Sequence, residues 1–236
     1  MARAAATHAA GILTRAATRH GRARVIIATG NSQLAFVNSL RQHPVVPWGK
    51  IDVFHLDEYV GIGDGHQASF RRWLREHIVE VFNPRRMHYI VGDSSDLHQE
   101  CRRYEKLLRA QPIDLVCIGI GENGHIAFND PPVADFDDPL WVKVVKLEEK
   151  CRLQQVGEGH FPNLAAVPTH AITLSVPALL APRHIQVVVP EKRKAAAIAA
   201  TRRSPIGPAC PSTILRAQEH ARLFLDRSSA SKIKRV

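Results

Sequence analysis

Short apolar runs alternate with segments of helical spacing along most of the chain. The runs predict strands at 25–28, 51–55, 114–119, 142–147, 171–175, 184–189 and 221–225. Helical patterns fall between them, at 33–41, 69–82, 96–110 and 192–201, and an amphipathic first helix is predicted at 4–19. The segment after Ser95 is the clearest: Asp96 can cap it, Gln99 follows three residues on, and Leu97, Cys101, Tyr104 and Leu108 recur on one face. Strands separated by helices imply parallel pairing through right-handed crossovers. Continuous apolar strands imply a sheet covered on both faces. The expected fold is α/β, a Rossmann-like doubly wound, mostly parallel sheet, with residues 1–236 forming a single domain.

Composition narrows the picture. With 236 residues and 45% apolar content the chain can bury a core without disulfides. No two of Cys101, Cys117, Cys151 and Cys210 form a CxxC pair, and the histidines lack paired metal spacing, so no metal site is expected. Cys117 reads as a small core residue, and a reducing, cytoplasmic setting fits. No apolar run reaches the ~18 residues of a membrane span. The arginine-rich start, with no acid before Asp52, also matches a mitochondrial presequence, but it runs directly into a strand, which favours the first helix. The formal charge of +10 permits an anionic substrate. Few aromatics and no basic stripe argue against nucleic acid, and the tail from Lys232 to Arg235 reads as a solvated end.

In open parallel sheets ligands bind beyond the carboxyl ends of the strands. Three such ends carry candidate chemistry. The first strand empties into Thr29-Gly30-Asn31-Ser32 and a helix start, which is either an anion pocket or an ordinary turn with Ser32 as cap. The second leads to Asp57-Glu58-Tyr59, where Asp57 is either a general base or a solvated acid. The third leads to Gly119, Gly121 and Gly124 in a G-x-G-x-x-G pattern, but Asn129-Asp130-Pro131-Pro132 stops any helix there, which excludes a dinucleotide site. What remains is His125 and Asp130 in one short loop, suited to acid–base work.

Together these stretches resemble the glucosamine-6-phosphate deaminases: Thr29 to Ser32, Phe54 to Gly61, and Gly119 to Asn129, in that order. The similarity runs from about residue 4 to 231 and is patchier between 132 and 167. It implies aldose–ketose isomerisation and deamination of glucosamine 6-phosphate, with no cofactor. By resemblance, Asp57 moves a proton between C1 and C2, and His125 opens the sugar ring with Asn123 and Asp130 as partners. Thr29, Gly30, Asn31, Ser32, Gly124 and Lys194 bind substrate, with Lys192 as a register alternative to Lys194. Common members carry aspartate where this chain has Asn123 and glutamate where it has Asp130. The family's lid arginine has no counterpart around Gly157-Glu158-Gly159-His160. The string Cys151 to Gly159 points to a divergent subgroup whose substrate could differ. A 6-phosphogluconolactonase is the first alternative, although that family has an arginine at Tyr59. A non-catalytic sugar-phosphate sensor is the second, although too few residues precede the first strand for a helix-turn-helix. The sequence leaves a homo-oligomer and an allosteric site open.

Overall fold

A computed structural model describes residues 1–43 and 45–233. Lys234 and Arg235 of the basic tail lie outside the described residues, and Ile233, expected in solvent, is half-buried against the core.

The chain opens with helix α1 (Ala2–His20), which buries Ala5, Ala6, Ala9, Ala10, Ile12, Leu13 and Ala17. It ends at Gly21, whose φ of 73° is the left-handed conformation glycine adopts cheaply. Strand β1 (Ala23–Ile27), helix α2 (Asn31–Arg41), strands β2 (Ile51–His55) and β3 (Asp57–Tyr59) follow. The pattern at 69–82 folds as α3 (Phe70–Leu74), a wider π turn (Arg75–Val79) and α4 (Glu80–Phe82). Next come β4 (Arg86–Met87), α5 (Leu97–Arg109), β5 (Leu115–Ile118), β6 (Val142–Lys146) and α6 (Glu149–Gly157). The chain finishes with β7 (His170–Leu174), α7 (Val176–Leu180), β8 (Ile185–Val189), α8 (Ala195–Arg203) and β9 (Ala221–Leu225). The Asp96 cap forms as expected, its Oδ1 accepting from the Gln99 amide at 2.8 Å.

Six strands make a parallel sheet in the order β4-β2-β1-β5-β8-β9. Alternate residues serve opposite layers: Val25 and Ile27 pack towards α1 and α2, and Ile26 packs towards α5, α7 and α8. Both faces are covered, as the unbroken apolar runs require.

The expected strands at 142–147 and 171–175 do not join this sheet. They pair antiparallel with each other and with β3 in a second sheet, β3-β7-β6, in which Asp57 stands opposite Thr173. Behind it lies a third apolar cluster with Tyr59, Phe128, Leu147, Cys151 and Phe161. The small sheet thus stands over the carboxyl ends of β1, β2 and β5 and lifts Asp57 to the cleft.

Candidate active site

One cleft, of about 680 Å³ including its open mouth, gathers the three strand ends. Thr29, Gly30, Asn31, Ser32, Asp57, His125 and Lys194 all line it. The phosphate-type wall is the start of α2. Its N-cap is Gly30, at φ 96°, with no side-chain cap, so Ser32 sits inside the first turn and is not the cap. The helix start with its positive dipole end faces the cleft. Lys194 closes this wall from the turn before α8; it is buried, and burial pulls its ammonium below the usual lysine range while Glu158 opposes that shift. Lys192 is exposed and does not line the cleft, whereas Lys194 does. Gln33 lies at the floor with its Oε1 buried and unpartnered.

The second wall carries Asp57. Adjacent Asp57 and Glu58 point opposite ways on β3 and have opposite fates. Glu58 accepts hydrogen bonds from the amides of Tyr59, Phe70 and Arg71 and from the Ser69 hydroxyl, so it anchors the start of α3. Among the described residues Asp57 has no such donors, and burial, with the neighbouring Glu58 charge, pushes its carboxyl up to about 8. It is a carboxyl poised between acid and base near neutral pH.

The third wall is the loop after β5. It forms turns rather than a helix, so the glycine pattern does not build a dinucleotide site. A Cβ on Gly121 would stand 2.2 Å from the His125 ring, and one on Gly124 would stand 2.6 Å from Cys210 Sγ. Ala127 is held at φ 48°, a strained conformation beside the site. His125 Nδ1 lies 2.9 Å from Asp130 Oδ1, close but not aligned as a hydrogen bond. Asp130 is buried. Burial alone would raise its pKa, but His125, Asn123 and the Glu148 amide together hold it below the usual carboxylate range.

Three expected site residues do not line the cleft. Gly124 packs against Cys210 and does not line the cleft. Asn123 does not touch the imidazole ring: its Nδ2 donates to Asp130 Oδ1 at 2.9 Å and to Glu148 Oε2 at 2.8 Å, and its Oδ1 accepts from the His125 amide at 3.0 Å. Asp130 stands behind His125, not in the cleft wall.

Sequence reasoning missed the fourth wall. Gln154, Gln155, Glu158 and His160, on and after α6, all line the cleft. Glu158 binds Arg193 and Gln154, both at 2.8 Å, and these contacts with His160 and Lys194 hold its carboxyl down at about 2 despite burial. The signal was the string Cys151 to Gly159, visible but without an assigned role. Tyr59 belongs to an aromatic cluster with Phe70, Phe128 and Phe161, so an arginine there would bury an unpaired charge. His125, Asp130 and Cys151 also bring ligand-type atoms within 4.8 Å of one another. Among the described residues no helix is long and apolar enough to cross a membrane.

Comparison with known proteins agrees with this geometry. The family model described as glucosamine-6-phosphate isomerases/6-phosphogluconolactonase matches residues 1–224. The glucosamine-6-phosphate deaminase of Exiguobacterium sibiricum is 35% identical over 205 residues, covering 87% of this chain and 79% of that protein. That of Bacillus thuringiensis is 32% identical, with 87% and 76% covered. Among solved structures, a monomeric glucosamine-6-phosphate deaminase superposes with a TM-score of 0.87 at 26% identity, covering 98% of this chain and 97% of its own. A 6-phosphogluconolactonase from Shewanella baltica shares the fold, with a TM-score of 0.75 at 19% identity over 93% and 89% of the two chains. By its sequence and by its fold, the chain belongs to the glucosamine-6-phosphate isomerase/6-phosphogluconolactonase family.

Proposed function

We propose that the protein converts glucosamine 6-phosphate to fructose 6-phosphate and ammonia. The observation that carries this reading is the shared cleft: Asp57 and His125 face the same space as the Thr29–Ser32 loop and Lys194. The loop amides, the hydroxyls of Thr29 and Ser32 and the Lys194 ammonium suit a phosphate dianion. A sugar anchored there is held still, and one carboxylate can then serve two neighbouring carbons. His125 moves the proton that opens the ring. Asp57 takes the C2 proton and returns it to C1, which turns the C2 amine into an imine. Water adds at C2 and ammonia leaves. A carboxyl near 8 can both accept and return a proton close to neutral pH. No step calls for a metal or an organic cofactor.

The relatives of this name support the substrate. In this reading residues 1–236 act as one catalytic domain in the cytoplasm, where four buried free cysteines stay reduced. The test is incubation with glucosamine 6-phosphate, measuring ammonia and fructose 6-phosphate together. Equal amounts of both are expected. Hydrolysis of 6-phosphogluconolactone without ammonia release would assign the lactonase reaction instead, and binding without turnover would assign a sensor.

A further inference from the structure

Glu148 stands between β6 and α6, half-buried, in the N-cap position of α6. Its side chain does not cap that helix. Its Oε2 instead accepts from Asn123 Nδ2, at 2.8 Å. The second hydrogen of the same amide goes to Asp130 Oδ1 at 2.9 Å, the oxygen that also approaches His125 Nδ1. The Glu148 backbone amide points at the other Asp130 oxygen, at 3.4 Å. Among the described residues no lysine or arginine forms an ion pair with Asp130, whose ionic contact is His125.

We propose that Glu148 is a positioning residue for His125, with Asn123 as the neutral link that lets its carboxylate and that of Asp130 sit side by side. This rests on the deaminase reading for its catalytic consequence, but the geometry stands apart from it. An amide –NH₂ carries two hydrogens, and here both are used on carboxylates. An ionised aspartate at 123 would have none to give and would be a third carboxylate within hydrogen-bond range of two others. Asparagine at 123 and glutamate at 148 therefore form a matched pair: the charge is absent from the first position and present at the second. The two carboxylates thus share one amide beside the imidazole, and the Asn123 Oδ1 contact with the His125 amide holds that residue's backbone.

The other titratable groups around this network are Asp57 on β3, Cys151 on α6, Glu158 and His160 beyond α6, Glu122 in the same loop, and Lys194 and Arg193 before α8. Glu148→Gln keeps an acceptor for Asn123 and removes the charge; of these groups the Cys151 thiol is the one whose pKa the Glu148 charge helps to raise. Three variants of the full chain test the proposal: Glu148→Gln, Asn123→Asp, and the two combined. Two readouts are needed: steady-state kinetics against pH, and the NMR titration of the His125 ring. Glu148→Gln should lower kcat about tenfold with KM within about twofold. Its His125 titration midpoint, and the alkaline limb of kcat, should both move down by about half a unit. Asn123→Asp should lower kcat about 100-fold, and adding Glu148→Gln should recover about tenfold of that loss. Glu148→Gln with an unmoved His125 titration would overturn the proposal, as would a double variant no better than Asn123→Asp. Should the unaltered protein release no ammonia, the deaminase reading fails by itself, and the His125 titration still decides the role of Glu148.

Discussion

Asp57 on β3 and Asp130 in the loop after β5 are both buried, and their surroundings move their acidities in opposite directions. Asp57 meets burial and a like charge and receives no donor, so its proton is held to about 8. Asp130 meets similar burial but is approached by an imidazole, a side-chain amide and a backbone amide, so it stays ionised. The comparison teaches that burial alone does not decide a carboxyl's state; donors and a neighbouring imidazole can outweigh it. A group that must release and regain a proton is left without fixed partners. A group that must hold a neighbouring imidazole is given several. Glu58, next to Asp57, marks the limit of the lesson: its four donors anchor α3 and oppose the shift, yet burial still raises its carboxyl above the usual glutamate range.

The sharpest way to break the comparison is to remove the unpartnered acid. Asp57→Asn should lower kcat at least about 1,000-fold, because the base itself is lost. Binding of a phosphosugar should stay within about threefold, since the phosphate wall is elsewhere. Turnover near the unaltered rate would take Asp57 out of the reaction. On the other wall, Gly121→Ala drives a methyl into the His125 ring, where the contact would be 2.2 Å. A displaced ring should cost about 100-fold in kcat with little change in KM. A crystal structure of this variant with the ring unmoved would contradict the packing argument.

The phosphate wall should respond differently from both acids. In the proposed reading Lys194→Ala removes a charge-assisted contact to the phosphate, and it should raise KM about tenfold or more, with a smaller effect on kcat. Lys192→Ala, at an exposed position, should leave KM within about twofold. Equal effects of the two lysines would return the register to an open question. Gln155→Ala probes the wall that sequence reasoning missed. Its side chain is buried at the cleft. A rise in KM of about fivefold for the sugar, with inorganic phosphate inhibition unchanged, would place it against the hydroxyls.

Much of this arrangement was legible in the sequence. The central strands β1, β5 and β8 were readable because both of their faces are covered and their residues are mostly apolar, whereas β4, only two residues long, was not readable. That Thr29 to Ser32, Asp57 and His125 would line one cleft was readable because strand ends in such sheets carry chemistry, and the resemblance supplied the roles proposed for them. The second sheet was not readable. Its strands have the same local pattern as the others, β3 has only three residues, and no periodicity says which partner a strand will choose. The anchor role of Glu58 was hidden because three of its four donors come from residues 69–71. The Asn123–Glu148 contact was hidden for the same reason, as it joins positions 25 apart through space. Interactions between distant segments are set by the fold, and a single sequence records them only as unexplained residue types.

The smallest expected effect is also the one that separates the two acids by sign. Asp57 titrates near 8 in the folded protein and near 4 when unfolded. Its contribution is therefore fully present below about pH 4 and is lost as pH rises through about 8. Asp130 is held below its ordinary value, so its contribution is present above about pH 4 and is lost as pH falls through the lower folded value. Replacing each with asparagine should then give opposite results at mildly alkaline pH. Asp57→Asn removes a carboxyl that the fold resists ionising, so its Tm should exceed that of the unaltered protein by about 3–5 °C at pH 9 and by little at pH 5. Asp130→Asn removes a carboxylate that the fold favours, so its Tm should fall by a similar amount at pH 9. Thermal melts of the three proteins across that range measure this directly. Two variants shifting in the same direction at pH 9 would mean that burial, not the number of donors, governs both walls.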